Sequence, residues 1–160
     1  MEKKVNVLAV DLDGTLIKSD MLHETFWSAF SKDIFIPLKT LIALFSGKSY
    51  LKKFLYDASS IDVKSLPYND IVINYINLHR SKGWKIVLVT GTNQELANEI
   101  SNYLNIFDEV YGSSLNINLI GLNKANFQNR VLGFKNYDYI GNSFNDINCW
   151  QNSEKAITVD

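Results

Sequence analysis

Apolar and polar positions follow two rhythms along the chain. Residues 5–10, Val-Asn-Val-Leu-Ala-Val, form a nearly continuous apolar run that ends abruptly in Asp11-Leu12-Asp13-Gly14-Thr15. Such a run, preceded by charge and closed by a glycine turn, predicts a strand buried on both faces. The same rhythm returns at 86–89, 109–112, 137–140 and 156–159. Between these stretches the apolar residues recur at three- and four-residue spacing, which predicts helices. The first covers 20–31 behind Asp20 as N-cap, and the second covers 37–46, opened by Pro37 and stopped by Gly47. Further helices are predicted at 50–56, at 67–81 behind Pro67, at 122–131, and in a short piece ending near Trp150. Thr92-Asn93-Gln94-Glu95 reads as a capping box that opens a helix over 93–104, and residues 118–120 read as part of a local hairpin. Alternating strands and helices predict an α/β fold, a Rossmann-like doubly wound parallel sheet with helices on both faces. Residues 1–19 and 67–160 are expected to form the core. The all-helical stretch 20–66 is expected to be a small cap inserted after the first strand, with the apolar residues 37–45 as cap core.

Composition narrows the class. At 160 residues and 46% hydrophobic content, one globular domain with a small insertion is expected. A net charge of −1 supplies no electrostatic reason to expect nucleic acid or an anionic membrane surface. The single cysteine, Cys149, excludes an internal disulfide and suits a reducing cytoplasm. The apolar N-terminal run is too short for a signal peptide, and Pro37 and Lys39 interrupt the only longer apolar stretch.

The chemistry sits at the strand ends. Ligand crevices in parallel sheets lie beyond the carboxyl ends of the strands. Asp11 and Asp13, one residue apart on an extended chain, point the same way into that crevice. Two carboxylates held together repel unless a cation lies between them or one keeps its proton. Hard oxygen donors with room for water and a phosphate suit Mg2+. Gly14 permits a sharp turn whose N–H groups can face an anion. The second strand runs into Thr90-Gly91-Thr92 and a helix N-terminus, a natural phosphoryl cradle. Lys124 lies in the first turn of a helix, against the dipole, which suggests placement for an anion. Gly141-Asn142-Ser143-Phe144-Asn145-Asp146 closes the fourth strand with further oxygen ligands. The combined inventory is that of phosphoryl transfer.

These residues resemble, in order and over nearly the whole chain, the four motifs of the haloacid dehalogenase-like (HAD) hydrolase superfamily. They are Asp11-Leu12-Asp13-Gly14-Thr15-Leu16, Thr90, Lys124 and Gly141-Asn142-Ser143-Phe144-Asn145-Asp146. The insertion after the first motif resembles the cap of phosphoserine-phosphatase-like members. The resemblance implies a phosphatase with Asp11 as nucleophile, forming an aspartyl-phosphate, and Asp13 as acid and then base. It also implies phosphate contacts from Gly14, Thr15, Thr90, Gly91, Lys124 and Asn145. Mg2+ would be held by Asp11, by the backbone carbonyl of Asp13, by Asn142 and, through water, by Asp146. Asn142 departs from the family, which usually has an acid there; an amide oxygen can ligate Mg2+ but brings no charge. That departure leaves a phosphate-binding or docking domain as the alternative. Three stretches, 119–124, 139–143 and 146–150, look more narrowly like the HAD domain ahead of a UbiA-type prenyltransferase. That would imply a lipid-linked phosphate substrate and a place as the soluble N-terminal part of a membrane protein. Two-component receiver domains have a similar inventory, but their phospho-accepting acid follows a middle strand.

Overall fold

The computed structural model describes residues 6–159. The predicted start of the first strand at Val5 lies outside them. Five strands are present: β1 (Val7–Val10), β2 (Lys85–Asn93), β3 (Glu109–Ser113), β4 (Asp138–Gly141) and β5 (Lys155–Thr158). They form one all-parallel sheet in the order β3-β2-β1-β4-β5. Because every strand runs the same way, Asp11 after β1, Thr90 within β2 and Asn142 after β4 arrive at one edge of the sheet.

Helices cover both faces, and the period of two along β1 assigns them. Leu8 and Val10 pack with Val72 and Ile76 of α4 (Asp70–Ser81) and with Leu96, Ala97 and Ile100 of α5 (Gln94–Leu104). Val7 and Ala9 face the other way, against Ala125 and Leu132 of α6 (Gly121–Leu132) and Cys149 of α7 (Ile147–Asn152). Between β1 and β2 are three further helices, α1 (Met21–Phe30), α2 (Ile36–Phe45) and α3 (Lys48–Ala58), which gather around Ala29, Ile36, Ala43, Leu51 and Leu55. They form the helical cap inserted after the first strand.

Local chemistry sets several boundaries differently from the pattern. Thr92 does not cap α5. Strand β2 runs on to Asn93, whose side chain accepts the N–H groups of Glu95 and Leu96. That leaves the Thr92 hydroxyl for the site. Pro67 does not open α4; Asn69 caps it and accepts the Ile71 N–H. The expected hairpin at 118–120 is instead a tight turn between Ser114 and Ile117, which exchange both backbone hydrogen bonds.

The largest departure concerns α2. It buries only Ile36 and Ala43, while Leu38, Leu41, Ile42, Leu44 and Phe45 face solvent, Phe45 at 87% exposure. The cap core takes only Ile36 and Ala43 from α2, beside Ala29 of α1 and Leu51 and Leu55 of α3, and most of the apolar surface of α2 stays outside it.

Candidate active site

Asp11 follows the last residue of β1, and its N–H donates to the carbonyl of Ile140 beside it. Its side chain is buried, with Oδ1 accepting from Lys124 Nζ at 2.6 Å. Among the described residues no protein group donates to Oδ2, so it is available to a ligand. Burial pushes the Asp11 carboxyl up to about 7, outweighing the nearby Lys124.

Asp13 is held from two sides. Oδ1 accepts the Met21 N–H at the start of α1 (2.7 Å), and Oδ2 accepts the Thr92 hydroxyl at the end of β2 (2.8 Å). Burial again raises its pKa, so this carboxyl retains a proton more readily than an exposed one. Gly14 turns the chain at φ +72°, and a Cβ there would lie 2.2 Å from Asn142 Nδ2. The glycine is therefore required both for the turn and for the close approach of the fourth-strand loop.

Lys124 is the hub of the site. Leaving α6 on the same side of the sheet as Tyr139, its Nζ reaches Asp11, the Tyr139 hydroxyl (3.0 Å) and Asp146 Oδ1 (3.2 Å). Burial opposes its charge, but Asp11 and Asp146 outweigh burial and hold its pKa above the ordinary lysine range. Asp146 closes the loop after β4. Oδ2 accepts from the N–H groups of Asn142 and Ser143 and from the Ser143 hydroxyl; Oδ1 accepts from Tyr139 (2.6 Å) and Lys124. Burial acts against the charge on Asp146, yet these donors bring its pKa below the usual range. With both oxygens occupied, Asp146 orients Lys124 and Asn142 rather than offering a free oxygen.

Thr90 is fully buried, its Oγ1 accepting the Thr92 N–H at 3.0 Å, which leaves the hydroxyl hydrogen to donate elsewhere. Thr15 is also buried and donates to Asn142 Oδ1 at 3.3 Å rather than opening to the cavity. The Gly91 carbonyl accepts from Lys52 Nζ and from the Ser113 hydroxyl. Asn142 and Asn145 stand exposed at the rim. Two contributors are not marked by the sequence pattern: Tyr139, which reads as strand core, and Met21, which contributes a backbone N–H; Thr92, expected in the phosphoryl cradle and as a cap, instead clamps Asp13. A tyrosine in a strand facing a helix that carries a lysine is the signal that could have found Tyr139.

Two cavities meet here. One, of about 290 Å³, is bounded by Asp11, Gly14, Lys124, Asn142 and Asn145. The other, of about 150 Å³, lies under the cap between Met21, Leu22, Thr25, Lys52 and Tyr56 and the core residue Thr92. Asp13 and Gly91 line both. Lys52 Nζ donates to the Gly91 carbonyl (2.5 Å) and to Asn118 Oδ1 (2.9 Å), both neutral acceptors. Burial lowers its pKa to about 8.

The donor set suits a hard cation. A buried carboxylate with a free oxygen beside an exposed amide oxygen offers oxygen ligands only, and a divalent ion would relieve the burial penalty on Asp11. Among the described residues no cluster of three or more His, Cys, Asp or Glu side chains is suited to holding a metal, so such an ion would depend on carbonyl and amide oxygens as well.

The fold is similar to that of solved phosphatases and of a HAD-superfamily hydrolase from Ehrlichia chaffeensis. A substrate-bound phosphoserine phosphatase superposes with a TM-score of 0.67 at 14% identity, over 98% of this chain and 87% of that one. A predicted phosphoglycolate phosphatase from Haemophilus somnus gives 0.63 at 17% identity, over 98% and 85% of the two chains. A protein of unknown function from Bordetella pertussis gives 0.72 at 14% identity, over 98% and 90%. In sequence, the chain is 35% identical over 152 residues to the uncharacterized protein y4nM of Sinorhizobium fredii. That match takes in 95% of this chain and 29% of the relative, so the chain spans under a third of its length. No family model matches the chain.

Proposed function

We propose that this chain is a Mg2+-dependent phosphatase that hydrolyses a phosphomonoester through an aspartyl-phosphate on Asp11. The observation that carries the proposal is the position of Asp13. It stands where a chamber floored by Asp11 and Lys124, with room for a phosphoryl group, meets a second cavity under the cap. A phosphoryl group in the first chamber sends its leaving group toward the second, past Asp13.

Asp11 Oδ2 attacks phosphorus, and the bond to the leaving oxygen breaks as Asp13 transfers its proton to that oxygen. Asp13 then takes a proton from water, which attacks the aspartyl-phosphate and releases inorganic phosphate with Asp11 restored. Lys124 neutralises charge on the nucleophile and the phosphoryl oxygens, while Thr90 and Gly91 frame the phosphate; the Gly14 and Thr15 N–H groups, expected to face an anion, donate instead to the carbonyls of Ser19 and Leu12. Asn145 borders the same chamber. Asp11, the Asp13 carbonyl and Asn142 would hold Mg2+, with Asp146 fixing the loop that presents Asn142. Bound there, the ion supplies charge neutralisation for the phosphoryl oxygens.

Asn142 supports a second reading, a phosphate-binding or docking domain with weakened catalysis. One experiment separates the two: p-nitrophenyl phosphate turnover across a Mg2+ titration, beside Asn142→Asp. The phosphatase reading expects turnover that chelation abolishes, and a Mg2+ half-saturation about tenfold lower in Asn142→Asp, because an acid adds charge to the site. A silent parent with an active Asn142→Asp would establish the weakened domain.

The cap side of the site favours a leaving group with its own negative charge. Among the described residues Lys52 hydrogen-bonds only to neutral acceptors at the second cavity, and Asp13 and Asp20, which line the same cavity, act on its charge through space. Lys52→Ala is expected to raise KM about tenfold for phosphomonoesters with a second anionic group, and little for those with a neutral one. Since its pKa lies near 8, Lys52 loses its charge as the pH rises through 8, and the preference fades with it. Lys52→Arg, charged throughout that range, is expected to keep the preference at pH 9. KM measured at pH 7 and 9 for a substrate of each kind checks both. The resemblance of 119–124, 139–143 and 146–150 to prenyltransferase-linked domains makes prenyl monophosphates and diphosphates the first lipid-linked candidates for such a screen.

A further inference from the structure

The overall charge of −1 conceals a local arrangement. Residues 27–48 contain three lysines, Lys32, Lys39 and Lys48, and one acid, Asp33, which pairs with Lys39; the rest of the chain carries thirteen basic and sixteen acidic residues. The same stretch holds the most exposed apolar surface of the cap. Trp27 is 63% exposed, Ile34 75% and Phe45 87%, with Phe35, Leu38, Leu41 and Ile42 also open to solvent. Apart from Lys39, the outward positions of α2 between Pro37 and Phe45 are all apolar, and none of them is acidic.

From this geometry we infer that α2 and its flanks form a surface for peripheral docking on a bilayer containing anionic lipid. The face has aromatic and aliphatic side chains to enter the headgroup and upper acyl region. Lys32 before the helix, whose ammonium hydrogen-bonds the neutral Ser60 hydroxyl, and Lys48 after it can meet lipid phosphates, while Lys39 within the helix is held by Asp33. A folded protein partner would need hydrogen-bond pairing, about one bond per 100–200 Å², and this face carries almost no polar groups except the lysines. A second copy docked through the same face would offer the lysines no acid except Asp33, which is already paired with Lys39. A bilayer imposes neither demand. Helix α2 packs on α3, which carries Lys52 into the cavity, so the docked surface belongs to the roof of the proposed active site. The docking inference does not depend on that site being active.

Co-sedimentation of the full chain tests it. The vesicles are phosphatidylcholine with about one third phosphatidylglycerol, beside pure phosphatidylcholine. The chain is expected to bind the anionic vesicles at least ten times more strongly than the neutral ones, and less at high salt. Leu41→Ser/Phe45→Ser is expected to reduce binding at least tenfold; Lys32→Gln/Lys48→Gln is expected to remove the preference for anionic vesicles. All four positions are exposed, and an unchanged far-ultraviolet circular dichroism spectrum verifies the fold. Absence of binding by the parent would overturn the inference, as would equal binding by the Leu41/Phe45 variant. A parent dimer in light scattering that becomes monomeric in that variant would overturn it in favour of self-association.

Discussion

Asp11→Asn is expected to reduce kcat by on the order of 10⁴ or more and to leave the chain folded. The amide keeps the shape of the carboxylate but is not a nucleophile toward phosphorus, and no second acid stands in the same place: Asp13 is tied to Met21 and Thr92, Asp146 to Tyr139, Lys124 and its own loop. Lys124 retains Asp146 and Tyr139 as partners, so the hub of the site is preserved. Stability should move the other way from activity. The Asp11 carboxyl titrates near 7 in the folded chain and near 3.8 as an isolated group, so the folded state disfavours its ionised form. That cost is full above pH 7, shrinks as the pH falls toward 3.8, and is absent below it. Asp11→Asn removes the cost, so its gain in Tm over the parent should be larger at pH 8 than at pH 5. Turnover of p-nitrophenyl phosphate together with thermal melts at the two pH values checks both halves. Residual kcat within tenfold of the parent would exclude Asp11 as the nucleophile.

The second large effect belongs to Lys124→Met. The methionine fills the volume of the stem but leaves Asp11 and Asp146 buried without their shared cation. Removing one partner of a buried ion pair costs about 3–5 kcal/mol, which for a chain of this size lowers Tm by roughly 10 °C. Activity should fall at least about a thousandfold, because the nucleophile and the phosphoryl oxygens lose the same neutralising charge. Adding Asp11→Asn to Lys124→Met removes one of the stranded carboxylates and should recover part of the lost Tm without restoring turnover. A single-variant Tm loss below about 2 °C would show that Lys124 is not the electrostatic hub its contacts describe.

The sequence by itself determined the strands and their order along the chain. A continuous apolar run ended by a polar turn is the mark of a buried parallel strand, and 86–89 carries it as clearly as 5–10; 109–112, which opens on Glu109, and 137–140, which contains Asp138, carry it less cleanly. It also placed Asp11, Asp13, Lys124 and Asn142 at or just beyond element ends, where a parallel sheet with alternating helices must gather them; Thr90, expected just past the second strand, lies within β2, which runs on to Asn93. Lys124 was visible because a lysine in the first turn of a helix opposes the dipole.

The sequence left two kinds of information to the tertiary structure. One is which partner a side chain takes when several chemistries are open to it. Thr92 fits a capping box as well as a carboxylate clamp, and only the continuation of β2 to Asn93 sends its hydroxyl to Asp13. Tyr139 reads as strand core until α6, packed on the same face of the sheet, brings Lys124 to its hydroxyl. The other is exposure. Periodicity finds the apolar residues of α2 but not whether a neighbouring element covers them. The cap core closes around α1 and α3 with only Ile36 and Ala43 from α2, and most of the helix is left facing outward. Local pattern encodes which residues can be buried; the packing of distant elements decides which of them are.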